Sequence, residues 1–315
     1  MTDKKEKKIL LLGGAGLVGQ NLVHCLKTRG YNNLVILDKN RTNLDILRQL
    51  HRGTVIECVD LADTGTWDRH FENADTVVML KAQIGGANRN LFIRNNVVAT
   101  KNIIDSARHH HVSYIIHVSS SVVQSKADDD YTNTKKMQED LVAGSGIDYV
   151  VLRPTLMFGW FDRKHLGWLS RFMKKMPVFP VPGNGRYIRQ PLYAGDFCNI
   201  ITSCIDNRIT GKFFNISGRE QVSYIDIIRE IKRATKARTR IVKIPYGLFR
   251  ALLAVWALFD KNPPFTVAQL EALVAGDMFE VIDWHGIFGI IPTPFTKAIE
   301  ETFNNPLYCN ITLDF

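Results

Sequence analysis

The sequence lacks the features that mark secreted, metal-binding and membrane-spanning proteins. Its 315 residues contain five cysteines, an odd number, and none are spaced C-x-x-C. This pattern favours reduced thiols in a cytoplasmic protein over a disulfide scaffold or a zinc site. No apolar segment of signal-peptide type precedes the first apolar run. We therefore expect a cytoplasmic location, and we expect no bound metal.

Long hydrophobic runs are also missing. The longest, Leu248–Phe259, is interrupted by Arg250 and is shorter than the about 20 residues that cross a bilayer. It predicts no transmembrane segment but a buried amphipathic helix, with contact to a membrane surface or to a hydrophobic substrate as the alternative. The three histidines at His109–His111 stand at the end of a helical pattern, where solvated side chains are more common than metal ligands.

The net charge is +9, but most of the cations are scattered along the chain. A basic balance of this kind suits a phosphorylated substrate or another anionic partner. We expect no nucleic-acid partner.

Short apolar runs alternate with helical patterns over the first two thirds of the chain. This alternation predicts an α/β fold with a doubly wound parallel sheet of the Rossmann type. The predicted strands are Ile9–Leu12, Leu34–Leu37, Thr54–Val59, Thr76–Leu80, Tyr114–Val118, Tyr149–Leu152 and Phe213–Ile216.

The alternation weakens after residue 155, and helical patterns dominate from Val222 onward. We predict a dinucleotide-binding domain over residues 1–216 and a smaller, mostly helical substrate domain over residues 217–315. The proline- and glycine-rich stretch Pro177–Gly185 predicts a loop, within a substrate-side segment around residues 156–190.

A glycine-rich turn follows the first predicted strand and precedes a helix. Gly13, Gly16 and Gly19 form G-x-x-G-x-x-G in that context. Glycines there permit a tight turn, close approach of a pyrophosphate and close packing of the helix. The helix begins at Leu17 and Val18, whose N–H groups would face the phosphates. These five residues are candidate dinucleotide ligands.

Acidic residues end the second and third predicted strands. Asp38 lies 19 residues after Gly19, where a carboxylate accepts hydrogen bonds from the adenosine ribose and disfavours a 2′-phosphate. This favours NAD, although the nearby cations Lys39 and Arg41 leave NADP possible. Asp60 and Leu61 are predicted to line the adenine pocket, with a strand-end cap as the alternative reading of Asp60.

Tyr131 and Lys135 form a Y-x-x-x-K pair on a predicted helix. The ordinary pKa of tyrosine, about 10, is too high for an efficient base, and a lysine one helical turn away can stabilise tyrosinate. A serine at the end of the fifth strand can hold the substrate oxygen. Ser120 is our choice for that role, with Ser119 and Ser121 as alternatives. The three groups predict proton transfer coupled to hydride transfer on a nicotinamide.

In these motifs the chain resembles the short-chain dehydrogenase/reductase superfamily, in its extended or atypical branch of NAD-dependent epimerases and dehydratases. The resemblance covers roughly residues 8–235. The matching pieces are Gly13–Gly19, Asp38, Asp60-Leu61, Asn96–Asn102, Val118-Ser119-Ser120, Tyr131 with Lys135, Arg153-Pro154 and Arg189–Asp196.

The resemblance implies further site residues. Asn96 begins a helical motif of the family and joins the cofactor set, as does Lys81, which stands where the family usually has a small or apolar residue. Arg189 occupies a position that often binds the diphosphate of a nucleotide sugar, with a surface ion pair as the alternative. Ser121 and Tyr193 complete the predicted substrate set. The family also often dimerises through two helices, here 96–109 and 131–143, so we predict a homodimer.

Three functions are compatible with these residues. The leading hypothesis is an NAD(P)-dependent epimerase, dehydratase or reductase acting on a sugar, in particular a nucleotide sugar. Departures from the sugar-enzyme pattern at Leu12, Val123–Ser125 and Leu156 weaken the substrate assignment but not the cofactor assignment. The second is a 3β-hydroxysteroid-type dehydrogenase on an apolar alcohol. The third is a non-catalytic, cofactor-holding subunit like the accessory Rossmann subunit of respiratory complex I, which an intact Tyr131/Lys135 pair disfavours.

Overall fold

The computed structural model describes residues 6–86, 88–125, 128–260, 265–275 and 280–314. The strands are β1 (Ile9–Leu12), β2 (Leu34–Asp38), β3 (Val55–Cys58), β4 (Thr76–Met79), β5 (Tyr114–Val118), β6 (Asp148–Pro154), β7 (Met157–Phe158), β8 (Val178–Pro182), β9 (Ile188–Arg189), β10 (Leu192–Tyr193), β11 (Lys212–Ile216), β12 (Val222–Ser223) and β13 (Arg240–Ile244).

The helices follow the same chain order. They are α1 (Leu17–Thr28), α2 (Arg41–Leu50), α3 (Arg89–Phe92), α4 (Ala99–His109), α5 (Asp130–Ala143), α6 (Leu166–Lys175), α7 (Ala194–Asn207), α8 (Tyr224–Thr235), α9 (Tyr246–Phe259), α10 (Val267–Ala275), α11 (Trp284–Phe288) and α12 (Phe295–Asn304).

The predicted Rossmann sheet is confirmed. Seven strands form one parallel sheet in the order β11-β6-β5-β4-β1-β2-β3. The order reverses between β1 and β4, whose registers pair Ile9 with Thr76 and Leu12 with Met79. The carboxyl ends of the strands on either side of such a reversal diverge, and ligands bind in the crevice that results. The glycine turn, Asp38, Asp60 and Lys81 all lie at strand ends on this edge.

Alternate residues of β1 enter the two hydrophobic layers that cover the sheet. Ile9 and Leu11 lie in a layer with residues of α1 and α7, whereas Leu10 and Leu12 lie in a layer with residues of α4. Because both faces are covered, the strands are continuous apolar runs rather than alternating ones. This explains why the sheet could be predicted from short apolar segments.

The helix predicted over 96–109 begins earlier than expected. The chain turns helical at Arg89, passes through a π-helical segment at Ile93–Val98 and continues as α4. Such wide turns are rare and occur frequently at functional sites. This one faces the crevice between β1 and β4.

Two predictions for the second half of the chain are wrong. Val178–Pro182, predicted to be a loop, forms β8 and pairs in parallel with β13. The prolines are tolerated there because the sheet has only two strands. The helix predicted at 248–259 exists as α9, but only Phe249 and Leu253 of it are buried. Among the described residues, no helix is both long and apolar enough to cross a membrane.

The substrate-side segment packs with later elements rather than forming an isolated loop. Residues of α6 and β8 share one hydrophobic cluster with α8 and α12. Trp284 and Phe288 of α11 instead pack into the layer that contains α1 and α7. The last part of the chain therefore contacts both halves of the molecule.

We predict that Gly19→Ala destabilises the fold, whereas Gly16→Ala does not. A Cβ at Gly19 would lie 2.2 Å from the backbone oxygen of Gly14, while at Gly16 the nearest atom would be 3.8 Å away. Overpacking of this kind typically costs roughly 1–3 kcal/mol. Thermal and urea unfolding of both variants would measure the difference. Equal stability of the two variants would show that close packing of α1 on the turn is unimportant.

Candidate active site

The glycine turn leaves the N-terminus of α1 without a capping side chain. Gly13 has φ +80°, and a Cβ there would lie 2.5 Å from the backbone of Lys81. Gly16, the residue before α1, has no side chain to cap the helix, and the first turn contains no acidic residue. The N–H groups at Leu17 and Val18 thus begin a helix whose positive end suits a phosphate.

Asp38 supports this turn from the end of β2. Its Oδ2 accepts a hydrogen bond from Ala15 N at 3.0 Å, and its Oδ1 accepts one from Asn40 N at 2.9 Å. Burial raises the pKa of Asp38, while these backbone donors and the charge of Lys39 lower it. A carboxylate held here keeps a negative charge beside the turn.

The predicted adenine wall contains an ion-pair network that the sequence did not indicate. Arg94, on the π-helical segment, donates to Asp60 Oδ2 at 2.7 Å and also to Asp63. Lys39 Nζ lies 3.9 Å from the same Asp60 oxygen. Leu61 is buried beside them. Asp60 therefore connects β3 to the helix that borders the crevice.

Tyr131 lies in the first turn of α5. Asp129 caps this helix by accepting a hydrogen bond from Thr132 N at 2.7 Å. Burial and the charge of Asp129 raise the pKa of Tyr131, while a hydrogen bond with the Ser120 side chain lowers it. The serine predicted to act with the tyrosine is therefore in contact with it.

Ser119 and Ser121 are placed differently from Ser120. Ser119 is buried, whereas Ser120 caps the short 3₁₀ helix that begins at Ser121, its Oγ accepting from Val122 N at 3.4 Å. Ser120 is thus the member of the serine run that the structure brings to Tyr131.

Lys135 lies on α5, and its fully buried side chain reaches the end of β5. Its Nζ donates to the backbone oxygen of Val118 at 3.0 Å. Burial lowers the pKa of Lys135 to about 7, and the charge of Glu139 opposes the shift. Lys135 lies one helical turn along α5 from Tyr131. The stabilisation of tyrosinate by this lysine stays a prediction.

Glu139 and Arg153 complete the surroundings of Lys135. Arg153 forms two hydrogen bonds to the Glu139 carboxylate, at 3.0 Å and 2.6 Å. Sequence reasoning did not assign Glu139, although its spacing of four residues from Lys135 places both on one helix face. A search for carboxylates one turn beyond the lysine would have found it.

Lys81 is a partly buried lysine at the crevice. It follows β4, and its Nζ donates to the backbone oxygen of Asn95 in the π-helical segment. Desolvation of the side chain, together with the charges of Lys135 and Lys39, lowers the pKa of Lys81 to about 7, while the charge of Asp60 opposes this shift. Its side chain spans from the glycine turn to the opposite wall.

Asn96 forms hydrogen bonds that join two segments bordering the crevice. It is fully buried, and its Oδ1 accepts from Gln83 N at 2.7 Å while its Nδ2 donates to Thr134 Oγ1 at 2.9 Å. These contacts hold the loop after β4 against α5. No sequence motif indicated Gln83 or Thr134.

Two of the predicted substrate residues, Arg189 and Tyr193, lie on short strands beyond the sheet, whereas Ser121 begins the 3₁₀ helix after β5. Arg189 is in β9, which pairs with β12, and its charge opposes the burial that raises the pKa of Tyr224. Tyr193 lines a cavity of about 220 Å³ between its own segment and the C-terminal elements. The nearby Asp196 anchors that wall by accepting from Thr293 N at 3.0 Å.

The residues present fit a dinucleotide. The turn has room at Gly16 but none at Gly19, and α1 presents an uncapped positive end. Buried Lys135 and partly buried Lys81 face the same crevice with few carboxylates beside them, and a bound diphosphate would compensate their charge.

Comparison with known proteins agrees with this fit. The model of the NAD dependent epimerase/dehydratase family matches residues 9–217. The chain is 24% identical over 287 residues to a UDP-glucose 4-epimerase of Vibrio cholerae, covering 82% of this chain and 86% of that protein. It is 26% identical over 275 residues to a bovine (Bos taurus) decarboxylating sterol-4-alpha-carboxylate 3-dehydrogenase, covering 78% and 74%.

A solved structure shares the fold. The UDP-glucuronic acid 4-epimerase from Bacillus cereus, in complex with NAD, superposes with a TM-score of 0.71 at 20% identity, over 95% of this chain and 98% of that one.

We predict that Lys81→Met stabilises the protein near neutral pH. The pKa of Lys81 is about 7 in the fold and near its ordinary value of 10.5 when unfolded, so the unfolded state binds more protons between these values. Burial of this lysine therefore lowers the free energy of unfolding by its full amount below pH 7. This destabilisation decreases as the pH rises and disappears near pH 10.5.

Melting temperatures from pH 6.5 to 9.5 would test this. The advantage of Lys81→Met over the wild type should shrink with rising pH, while the exposed neighbour variant Lys136→Met should follow the wild type throughout. An advantage that does not change with pH would contradict the assignment of a lowered pKa to Lys81.

Proposed function

This chain belongs to the NAD dependent epimerase/dehydratase family, and we propose that it is an NAD-dependent enzyme that acts on a nucleotide sugar. The observation that carries the proposal is the contact between Ser120 and Tyr131, beside buried Lys135, at the edge where the sheet order reverses. When bound, NAD supplies the nicotinamide carbon that exchanges a hydride with the substrate.

The chain's own residues would handle the proton. The Tyr131 hydroxyl gives a proton to, or takes one from, the substrate oxygen, and the Ser120 hydroxyl holds that oxygen by a hydrogen bond. Lys135 fixes the geometry, because its bond to Val118 O ties α5 to β5. The same groups serve epimerisation, dehydration or simple reduction, which differ in whether the hydride returns to the substrate.

NAD is favoured over NADP by the position of Lys39. This lysine, which could have held a 2′-phosphate, donates instead to Asn95 Oδ1 at 2.9 Å across the crevice. Asp38 keeps its carboxylate at the end of β2, where it would repel that phosphate. Gly13, Gly16 and the start of α1 are proposed to hold the pyrophosphate.

A nucleotide diphosphate suits the substrate side of the crevice. Arg189 offers a planar guanidinium that can form two parallel hydrogen bonds to a phosphate. Ser121 and Tyr193 are proposed to contact the rest of the substrate. Support for the class also comes from the similarity to a UDP-glucose 4-epimerase.

An apolar alcohol is the second candidate substrate. It is supported by the similarity to the sterol-4-alpha-carboxylate 3-dehydrogenase and by the apolar residues of α9 that the fold leaves exposed. The same Tyr131 chemistry would apply, so the two candidates differ only in substrate.

We predict that Tyr131→Phe lowers turnover by about 10²- to 10⁴-fold, because it removes the group that transfers the proton. NAD affinity should be nearly unchanged. The measurement is product formation by NMR, with NAD or NADP and a panel of UDP-, GDP- and dTDP-sugars plus a 3β-hydroxysterol.

Tyr149→Phe, on β6, is the matched control and should retain full activity. Turnover that survives in Tyr131→Phe would refute the catalytic assignment. Dinucleotide binding without turnover of any sugar or sterol would favour the cofactor-holding subunit instead.

We also propose that the protein is a homodimer that pairs through α4 and α5. A groove of about 600 Å³ lies between these helices and is lined by Val97, Ile104, Met137 and Leu141 among others. Met137 is exposed despite being apolar. Pairing with a second copy would cover this groove.

Met137→Lys should therefore yield monomers, because it places a charged side chain among the apolar groove residues that pairing would bury. Light scattering coupled to size exclusion would measure the mass of each species. The control is Leu307→Lys, an exposed position outside this groove, which should remain dimeric. A monomeric wild type would refute the proposal.

A further inference from the structure

The helix α9 presents a whole face of large apolar side chains to solvent. Each member of the face is at least half exposed, and the spacings of four, three, one and three residues place them on one side of the helix. The members are Leu248, Leu252, Val255, Trp256 and Phe259.

The neighbouring side of α9 is already used for packing. Phe249 and Leu253 pack against Leu270 of α10. Arg250 projects from another side of the helix and lies 3.5 Å from Glu271. The exposed face is therefore separate from the contacts that hold α9 to the protein.

A strongly basic segment leads directly into this helix. Residues 232–243 contain six lysines or arginines and no aspartate or glutamate. Of these, Arg233 pairs with Glu230, but within the described residues no ion pair involves Lys236, Arg238, Arg240 or Lys243, all of which are exposed. The chain then passes from β13 through Pro245 into α9.

The strand before α9 extends the apolar surface. Val242 of β13 is exposed, as is Val178 of β8, which pairs with Arg240. Exposed apolar and basic side chains are therefore mixed along the approach to the helix. Asp260 adds an acidic group at the end of α9, and its Oδ2 accepts from Trp256 Nε1 at 3.3 Å.

From this juxtaposition we infer that α9 and the basic segment 232–243 form a docking surface for a membrane that contains anionic lipid. A helix of 14 residues is about 21 Å long and lies in the plane of the interface rather than across the bilayer. The apolar face enters the acyl boundary, Trp256 occupies the headgroup level and the unpaired cations contact the lipid phosphates.

A bilayer fits this surface better than a protein partner does. A protein interface would match six cations with acids at specific positions, whereas anionic headgroups neutralise cations wherever these lie along an extended segment. The surface is also distinct from the groove between α4 and α5. It does not depend on the chemistry at Tyr131, so Tyr131→Phe should bind membranes like the wild type.

The test is co-sedimentation of the full chain with vesicles of phosphatidylcholine alone or with 30% phosphatidylserine. Because an anionic surface attracts each of the exposed cations, the wild type should bind the phosphatidylserine vesicles at least tenfold more tightly. Leu252→Ser/Trp256→Ser should weaken that binding at least tenfold, and Arg240→Gln/Lys243→Gln should remove most of the preference for phosphatidylserine.

Two controls keep the result specific. Ile291→Ser changes another strongly exposed apolar residue and should bind like the wild type. Unchanged circular dichroism and melting would show that each variant is folded. Absence of vesicle binding by the folded wild type overturns the inference, as does equal binding to both vesicles. Self-association of the wild type that Leu252→Ser/Trp256→Ser abolishes would also overturn it, because a second copy would then cover the face.

Discussion

The site depends on a lysine that has no access to water. Lys135 is completely buried, and its ammonium group needs polar partners inside the protein. The oxygen of Val118 supplies one, and the Glu139 carboxylate, itself held by Arg153, supplies a compensating charge nearby. Each contact links α5 to a different strand. The position of Tyr131 beside Ser120 follows from these links, because the tyrosine lies one turn earlier on the same helix.

Two lysine side chains with little exposure to solvent lie close together at the crevice. Lys135 is buried and Lys81 is partly buried. Burial, together with the charges of these two lysines, holds the pKa of His117 well below its ordinary value. His117 is therefore neutral, and the two lysines titrate near pH 7. An anion that entered the crevice would favour their charged forms. Binding of a diphosphate and protonation of these lysines are thus coupled, and each promotes the other.

Local patterns predicted the parts of the site that lie within one segment. The strand ends, the glycine turn and the helix that carries Tyr131 and Lys135 all follow from residue type and short spacing. Contacts between distant segments left no such signal. The bond from Lys81 to Asn95 depends on the π-helical segment, and the pairing of β8 with β13 joins residues 62 positions apart. An apolar helix also looks the same in sequence whether its face is packed or exposed, so the burial predicted for α9 was wrong.

The reaction is easier to assign than the substrate, because the residues proposed for each come from different parts of the chain. The proposed proton-transfer residues come from the end of β5 and from α5, whose positions the central sheet determines. The proposed substrate residues come from two-residue strands such as β9 and β10, whose positions depend on packing against α8, α12 and the segment around Thr293. Small changes in that packing would reshape the substrate cavity without moving Tyr131. Selection between a nucleotide sugar and an apolar alcohol therefore rests on the second half of the chain, where family motifs are sparse.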